Sequence, residues 1–302
     1  MADFEGRVAI VTGAGRGLGR ACAELLAARG AAVLVNDLGC APNGAGVAGE
    51  YAEETAEAIR RAGGQAVADA HDVAAPGAAE AIVQAALTAF GRLDILVNNA
   101  GIVAAGPFGE MPAETFDAVV DVSLGASTRL ARAAWPHLVA GGAGRIVNVT
   151  SHSVFGTKGV APYVVAKTAA IGLTKALAAD GAKLGIKVNC VMPGAYTRLT
   201  AGLPPGPLHD FVKSAMTVDR VAPLVAALCH PDVPCTGEVF HAGAGLYSRI
   251  RLATGPGLVA PDAGLDEVLA GFDEIMADQP LTAPPSQDAM IDFVFGRVRG
   301  GT

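Results

Sequence analysis

Tyr163 and Lys167 stand four residues apart in Tyr163-Val-Val-Ala-Lys167, directly after Pro162. The surrounding stretch, 162–184, is rich in alanine and predicts a helix, on which a four-residue interval stacks phenol and ammonium one turn apart. A free phenol, with a pKa of about 10, is a poor base at neutral pH. A neighbouring ammonium stabilises the phenolate and equips the pair to take a proton from an alcohol. Just upstream, a predicted strand ends in Thr150-Ser151-His152-Ser153. A hydroxyl there can orient a substrate oxygen and stabilise the charge that develops on it. Thr150, Ser151 and Ser153 are the candidates, and His152 reads as a strand-end or pocket-wall residue.

A second chemical signal lies at the other end of the chain. A predicted first strand, 7–12, runs into Thr12-Gly-Ala-Gly-Arg-Gly-Leu-Gly19, and a predicted helix, 17–29, follows. Glycines let a backbone turn tightly against a pyrophosphate, and the helix N-terminus offers that anion free N–H groups and a positive dipole end. About twenty residues further on, Asp37 ends the second predicted strand, where a carboxylate can accept both ribose hydroxyls of an adenosine. The same charge repels a 2′-phosphate, so Asp37 predicts NAD rather than NADP.

These residues must be positioned by a regular framework, and the pattern supplies one. Short β-branched runs at 7–12, 32–37, 65–69, 94–98, 145–150, 187–192 and 237–241 alternate with helical stretches, among them 50–62, 77–90 and 115–139. The runs are continuously apolar rather than alternating, as in strands buried on both faces. The expected fold class is α/β: a single-domain Rossmann fold, with a doubly wound parallel sheet of about seven strands. Residues 1–245 are expected to form the nucleotide-binding and catalytic domain. Residues 246–302 are expected to form a helical extension, with helices near 264–277 and 286–296, packed over the site or at a subunit interface. A glycine-rich loop at 38–49 and a proline-broken segment at 195–217, read as a lid, interrupt the rhythm.

Thr12, Gly13, Gly17 and Gly19 form a TGxxxGxG turn. Together with Asn98-Asn-Ala-Gly101 and the Tyr-x-x-x-Lys pair, in this order and at these intervals, they resemble the short-chain dehydrogenase/reductase family. The resemblance implies hydride transfer between a nicotinamide and a secondary alcohol or ketone. It implies cofactor contacts from Gly13, Arg16, Gly17, Leu18, Gly19, Asp37, Leu38, Asp72, Val73, Asn99, Ala100, Gly101, Tyr163, Lys167, Pro193, Gly194 and Thr197. Arg16 can serve NADP in that family, against the NAD preference that Asp37 implies. The family also implies a catalytic set of Ser151, Tyr163 and Lys167. Ser123 stands where many members carry an asparagine that supports a proton relay. A homodimer or homotetramer built on 115–139 and 162–184 is implied as well.

Shorter stretches, among them Val35-Asn-Asp-Leu-Gly39, Arg132-Ala-Ala-Trp135 and Gly243-Ala-Gly245, resemble the (3R)-hydroxyacyl-CoA dehydrogenase group within the family. They imply a 3-hydroxyacyl-CoA or hydroxysteroid-type substrate. Two other readings stay open at this level: a reductase of small ketones or polyketide-type intermediates, and a catalytically silent NAD-binding regulator.

The composition narrows the partners. The net charge is -7 and the basic residues are scattered, which argues against nucleic acid. No uncharged apolar run reaches the roughly 18 residues of a membrane span. The histidines show no HxxxH or HExxH spacing and the five cysteines no CxxC pair, so neither a metal site nor a disulfide framework is expected. An acidic N-terminus without a leader pattern and the odd cysteine count suggest a soluble cytoplasmic protein acting on a small molecule.

Overall fold

The computed structural model describes residues 3–47, 50–196, 206–278 and 280–300. The chain divides into two compact units, Met1–Arg249 and Ile250–Thr302.

The first unit is built on β1 (Val8–Thr12), β2 (Ala32–Asn36), β3 (Gln65–Asp69), β4 (Ile95–Asn98), β5 (Arg145–Val149), β6 (Lys187–Gly194) and β7 (Val239–Gly243). The sheet order is β3-β2-β1-β4-β5-β6-β7-β8, where β8 is Leu246–Ile250. Each pair from β3 to β7 is parallel. β1, β4 and β5 are buried along their whole length, as their unbroken apolar runs require. Successive side chains enter opposite layers: Ala9 and Val11 pack with Leu26, Ile59 and Val225, while Val8 and Ile10 pack with Ile82, Leu130 and Leu138. The covering helices are α1 (Gly17–Ala28), α2 (Glu50–Arg61), α3 (Ala78–Phe90), α4 (Ala113–Val120), α5 (Ala126–Ala140), α6 (Ala161–Gly181), α7 (Pro207–Ala215) and α8 (Ala222–Cys229). The chain winds outward from β1 to β3 and then returns to β4. This opens a crevice between the carboxyl ends of β1 and β4, where such sheets hold ligands.

Two departures from the sequence reading concern local geometry. The helix expected over 115–139 is interrupted by a π turn at Asp121–Gly125, which separates α4 from α5. The Asp121 carboxylate is held by Arg129 Nη1 at 2.7 Å and lies over Gly125, where a Cβ would meet it at 2.3 Å. One added residue in a turn leaves the apolar spacing almost intact, so periodicity does not reveal it. The second is an eighth strand. Ala244 and Gly245 both take positive φ, 52° and 84°, as a two-residue hairpin turn requires, and β8 therefore returns beside β7.

The second unit carries α9 (Leu265–Ala270), α10 (Phe272–Ile275) and α11 (Gln287–Gly300). The expected helix over 264–277 is thus split at Gly271. A Thr254–Thr282 bridge and hydrogen bonds from Arg297 to the carbonyls of Pro256 and Gly257 tie this unit internally.

Buried polar groups lock the sheet. Arg145 is 3% exposed and donates to the carbonyls of Gly144, Gly185, His230 and Pro231. Burial lowers its pKa, and those acceptors keep the cation in place. Arg145→Ala removes a donor from four carbonyls, of which those of Gly144 and His230 keep the N–H groups of Lys187 and Val233; a buried carbonyl left unpaired costs about 1–3 kcal/mol if no water replaces the donor. The variant is expected to lose about 1–3 kcal/mol of stability, read as a lowered urea midpoint with an unchanged m-value.

Candidate active site

The glycine turn and the Asn98–Gly101 segment meet at the crevice and interlock. The Thr12 hydroxyl accepts the N–H groups of Asn99 and Ala100 at 3.1 and 3.0 Å. In return, Asn99 Nδ2 donates to the carbonyls of Thr12 and Gly13 at 2.8 and 3.1 Å. Gly19 must be glycine here, because a Cβ would stand 2.2 Å from the Gly13 carbonyl oxygen.

Around this junction lies a cavity of about 600 Å³. Gly13, Arg16, Gly17, Leu18, Asp37, Leu38, Asp72, Val73, Asn99, Ala100 and Gly101 all line it. It fits a dinucleotide on three observations. The α1 N-terminus has no side-chain cap and no acidic residue in its first turn, so its N–H groups remain for an anion. Asp37 is buried, its oxygens fixed by the N–H groups of Gly15 and Gly39 at 2.8 and 2.7 Å, and each keeps a lone pair for a further donor. Arg16 stacks 3.6 Å from the Tyr51 ring centroid and donates to the Cys40 carbonyl at 3.0 Å.

Sequence reasoning missed part of this wall. Cys40, Ala41, Pro42, Asn43 and Gly44 line the cavity, and the Pro42 carbonyl accepts the Val103 N–H at 2.9 Å, so the glycine-rich loop closes over it. His71 also lines it, held by the buried Asp69 carboxylate at 2.8 Å. The glycine-rich insertion after β2 was the advance signal for the loop, and nothing in the sequence pattern marked His71.

The second group of residues gathers beyond Gly101. A Cβ at Gly101 would lie 3.3 Å from Lys167 Nζ and 3.4 Å from Ser123 Oγ, so these atoms share the wall behind it. Lys167 is buried on α6, and its Nζ donates to the Val149 carbonyl at 2.9 Å. Burial lowers its pKa to about 8. Lys167 Nζ is 5.7 Å from the Tyr163 ring centroid. Burial raises the Tyr163 pKa above the ordinary phenol value, and a hydrogen bond with Ser151 opposes that rise. Desolvation is the larger of these two effects, and Lys167 is not among the groups that shift the phenol. Ser123 Oγ sits on the π turn and exchanges hydrogen bonds of 3.3 and 3.4 Å with the Ile102 backbone.

The three candidate hydroxyls separate cleanly. Thr150 Oγ1 is buried and donates to the Lys167 backbone carbonyl at 2.6 Å. Ser153 Oγ is buried with no hydrogen-bond partner among the described residues. Ser151 alone stands against the phenol. Pro193 and Gly194 end β6 outside the lining of the cavity. Thr197 lies outside the described residues, as does the 197–205 part of the expected lid, 195–217; the rest includes α7. Among the described residues no cluster of three or more His, Cys, Asp or Glu side chains could hold a metal ion, and no helix is long and apolar enough to cross a membrane.

The short chain dehydrogenase family model matches residues 7–203. Peroxisomal multifunctional enzyme type 2 of Mus musculus is 42% identical over 249 residues, covering 82% of this chain and 33% of that protein. A hydroxy(phenyl)methylsuccinyl-CoA dehydrogenase subunit of Thauera aromatica is 35% identical over 191 residues, 63% of this chain and 73% of the relative. Full-length peroxisomal multifunctional enzyme type 2 from Drosophila melanogaster has a similar structure, with a TM-score of 0.81 at 28% identity, covering 98% of this chain and 50% of that one. The chain therefore spans a third to a half of the length of these two multifunctional relatives.

The cradle yields a direct test. Gly19→Ala forces the Gly13 carbonyl to move and is expected to weaken NAD binding about tenfold or more, measured by calorimetric titration. Gly172→Ala, on an exposed face of α6 with nothing within 4 Å, is the control and is expected to bind as the parent does.

Proposed function

The chain belongs to the short chain dehydrogenase family, and we propose that within it the protein is an NAD(H)-dependent oxidoreductase interconverting a secondary alcohol and a ketone, with a 3-hydroxyacyl-CoA or hydroxysteroid-type substrate. The observation that carries this reading is the convergence of the Ser151 hydroxyl, the Tyr163 phenol and the Lys167 ammonium just beyond Gly101, at the edge of a cavity that fits a dinucleotide.

A nicotinamide bound there supplies the hydride acceptor or donor. Asp37, fixed by two backbone donors, holds the adenosine ribose and disfavours a 2′-phosphate. Arg16 is engaged with Tyr51 and Cys40, which supports NAD over NADP. Ser151 holds the substrate oxygen and steadies the charge that grows on it. Tyr163 takes the alcohol proton in oxidation and returns it in reduction. Lys167 favours the phenolate, and Ser123, on the π turn beside Lys167, supports the relay that exchanges the lysine's proton with solvent.

Support for a bulky apolar thioester or ring system comes from the rim. Phe155 follows the Ser151 turn and is 71% exposed. The Gly106 N–H bonds the Gly159 carbonyl at 2.8 Å, which brings the exposed Phe108 to the same rim. The named CoA dehydrogenase relative adds weight to a CoA thioester. α5 and α6 offer the faces for a homodimer or homotetramer. Among the described residues the cysteines form no disulfide, which suits a reducing compartment such as the cytoplasm.

NADH formation at 340 nm with 3-hydroxyacyl-CoAs, steroid alcohols and simple secondary alcohols tests the reading; turnover of the first or second class is expected, and none across the panel would overturn it. Tyr163→Phe is expected to keep NAD binding and lose turnover by at least about 100-fold.

The pH dependence has a definite sign. Oxidation needs the phenol deprotonated, and burial raises its pKa, so kcat/KM for oxidation should climb with pH through the alkaline range. Ser151→Ala removes the hydrogen bond that lowers this pKa. The variant is expected to shift the climb to higher pH as well as to reduce the rate, read from pH–rate profiles.

A further inference from the structure

His152 and His241 take no part in the chemistry above, yet they stand beside it. His152 begins the 3-10 turn His152–Phe155 that follows Ser151, and His241 lies on β7. His152 Nε2 is 2.9 Å from His241 Nδ1, with ring centroids 5.0 Å apart and planes tilted by 34°. Between them runs Gly194 at the end of β6, where a Cβ would meet His241 Cε1 at 3.2 Å and His152 Cε1 at 3.3 Å. The pair therefore spans from the Ser151 turn, across β6, to β7.

The turn packs on α6 and β6, but among the described residues its other backbone hydrogen bonds are local. Ser153 N–H donates to Ser151 Oγ, Val154 N–H to the Ser151 carbonyl and Gly156 N–H to the Ser153 carbonyl, all within the turn. Among the described residues neither imidazole makes a further hydrogen bond. The histidine pair is thus the side-chain bond that fastens this turn to the sheet.

We propose that the His152–His241 pair is a positioning latch, which holds the turn against the end of β6 and so keeps the Ser151 hydroxyl at the Tyr163 phenol. This rests on the reading of Ser151 and Tyr163 given above. An imidazole–imidazole hydrogen bond needs one N–H and one lone pair. It holds with no extra proton or with one, and it breaks when both rings are cationic and N–H faces N–H. Burial and the neighbouring His241 both lower the His152 pKa, which keeps the lone pair available at neutral pH. The titratable groups on the elements around the pair are Tyr163, Lys167, Lys175 and Asp180 on α6, Lys187 and the buried Cys190 on β6, Tyr247 on β8, and the ion pair of Arg249 on β8 with Glu238 just before β7. Of the charged groups, only His241 shifts His152.

Ketone reduction isolates the latch, because Tyr163 then works protonated and its own titration leaves the acid side flat. With NADH and acetoacetyl-CoA as the probe, kcat of the parent should hold through the ordinary imidazole range, near roughly pH 6.5, and fall only on its acid side, where His152 also takes a proton. His241→Ala should lower kcat about tenfold or more at neutral pH, with KM for NADH unchanged. His241→Asn, whose amide donates and accepts at every pH, should restore most of that loss and remove the acid-side fall. His152→Ala, at an exposed position, repeats the test without altering β7. A crystal structure of either alanine variant should show the turn shifted away from Tyr163. Full kcat in both alanine variants, or an unmoved turn, would sink the latch. If the parent reduces no thioester or ketone, the dehydrogenase reading fails instead, and the crystal structures alone decide the latch.

Discussion

The site exists because two strands that are distant in the chain end level with each other. β1 and β4 pair in register from Ala9–Ile95 to Val11–Val97, and the next residues of each must leave the sheet in opposite directions to open the crevice. The Thr12 hydroxyl, taking two N–H groups from the far side, and Asn99, giving two back, hold that fork. Backbone donors left open at such a point would each need a partner, so side chains of fixed type occupy both lips. The α1 N-terminus, Asp37 and Gly101 all take their places from this fork.

Behind the fork a buried polar thread carries the alignment to the catalytic helix. Asn98 Nδ2 donates to Asn148 Oδ1 at 2.9 Å, Asn148 Nδ2 to Thr174 Oγ1 at 2.9 Å, and Thr174 to the Ala170 carbonyl at 2.8 Å. β4, β5 and α6 are therefore fixed against one another by directional bonds as well as by packing. Thr150 and Lys167 add two more ties of the same kind between the end of β5 and α6. A lysine can be kept this deeply buried because its one carbonyl partner is delivered by a strand whose own position is so constrained.

Much of this was legible in the sequence where the signal is local. The glycine turn, Asn98–Gly101 and the Tyr163–Lys167 interval are short covalent spacings, and the buried strands announce themselves by unbroken apolar runs. What could not be read depends on direction or on distance. Thr150, Ser151 and Ser153 are equivalent as letters, but neighbouring residues at a strand end point to opposite sides, and only the fold shows that Thr150 turns inward to Lys167 while Ser151 meets Tyr163. The π turn hides because one extra residue hardly disturbs the apolar spacing. The thread from Asn98 to Thr174 and the His152–His241 contact join residues tens of positions apart, with no local pattern to mark them, and the glycine-rich stretch at Cys40–Gly44 marks a loop without showing what it covers.

The strand order also has a consequence for how the molecule comes to be. β1 emerges first, yet its partner on the crevice side follows only after β2, β3 and three helices, and the Val8 N–H waits for the Asp94 carboxylate, 86 residues on. Contacts of such long range form late and slowly, since chain closure must precede their reward. Until then β1 offers an unpaired apolar edge, open to the wrong neighbour. Assembly of this protein is therefore expected to be paced by the arrival of β4, and the fork at Thr12 to be among the last features to acquire its native form.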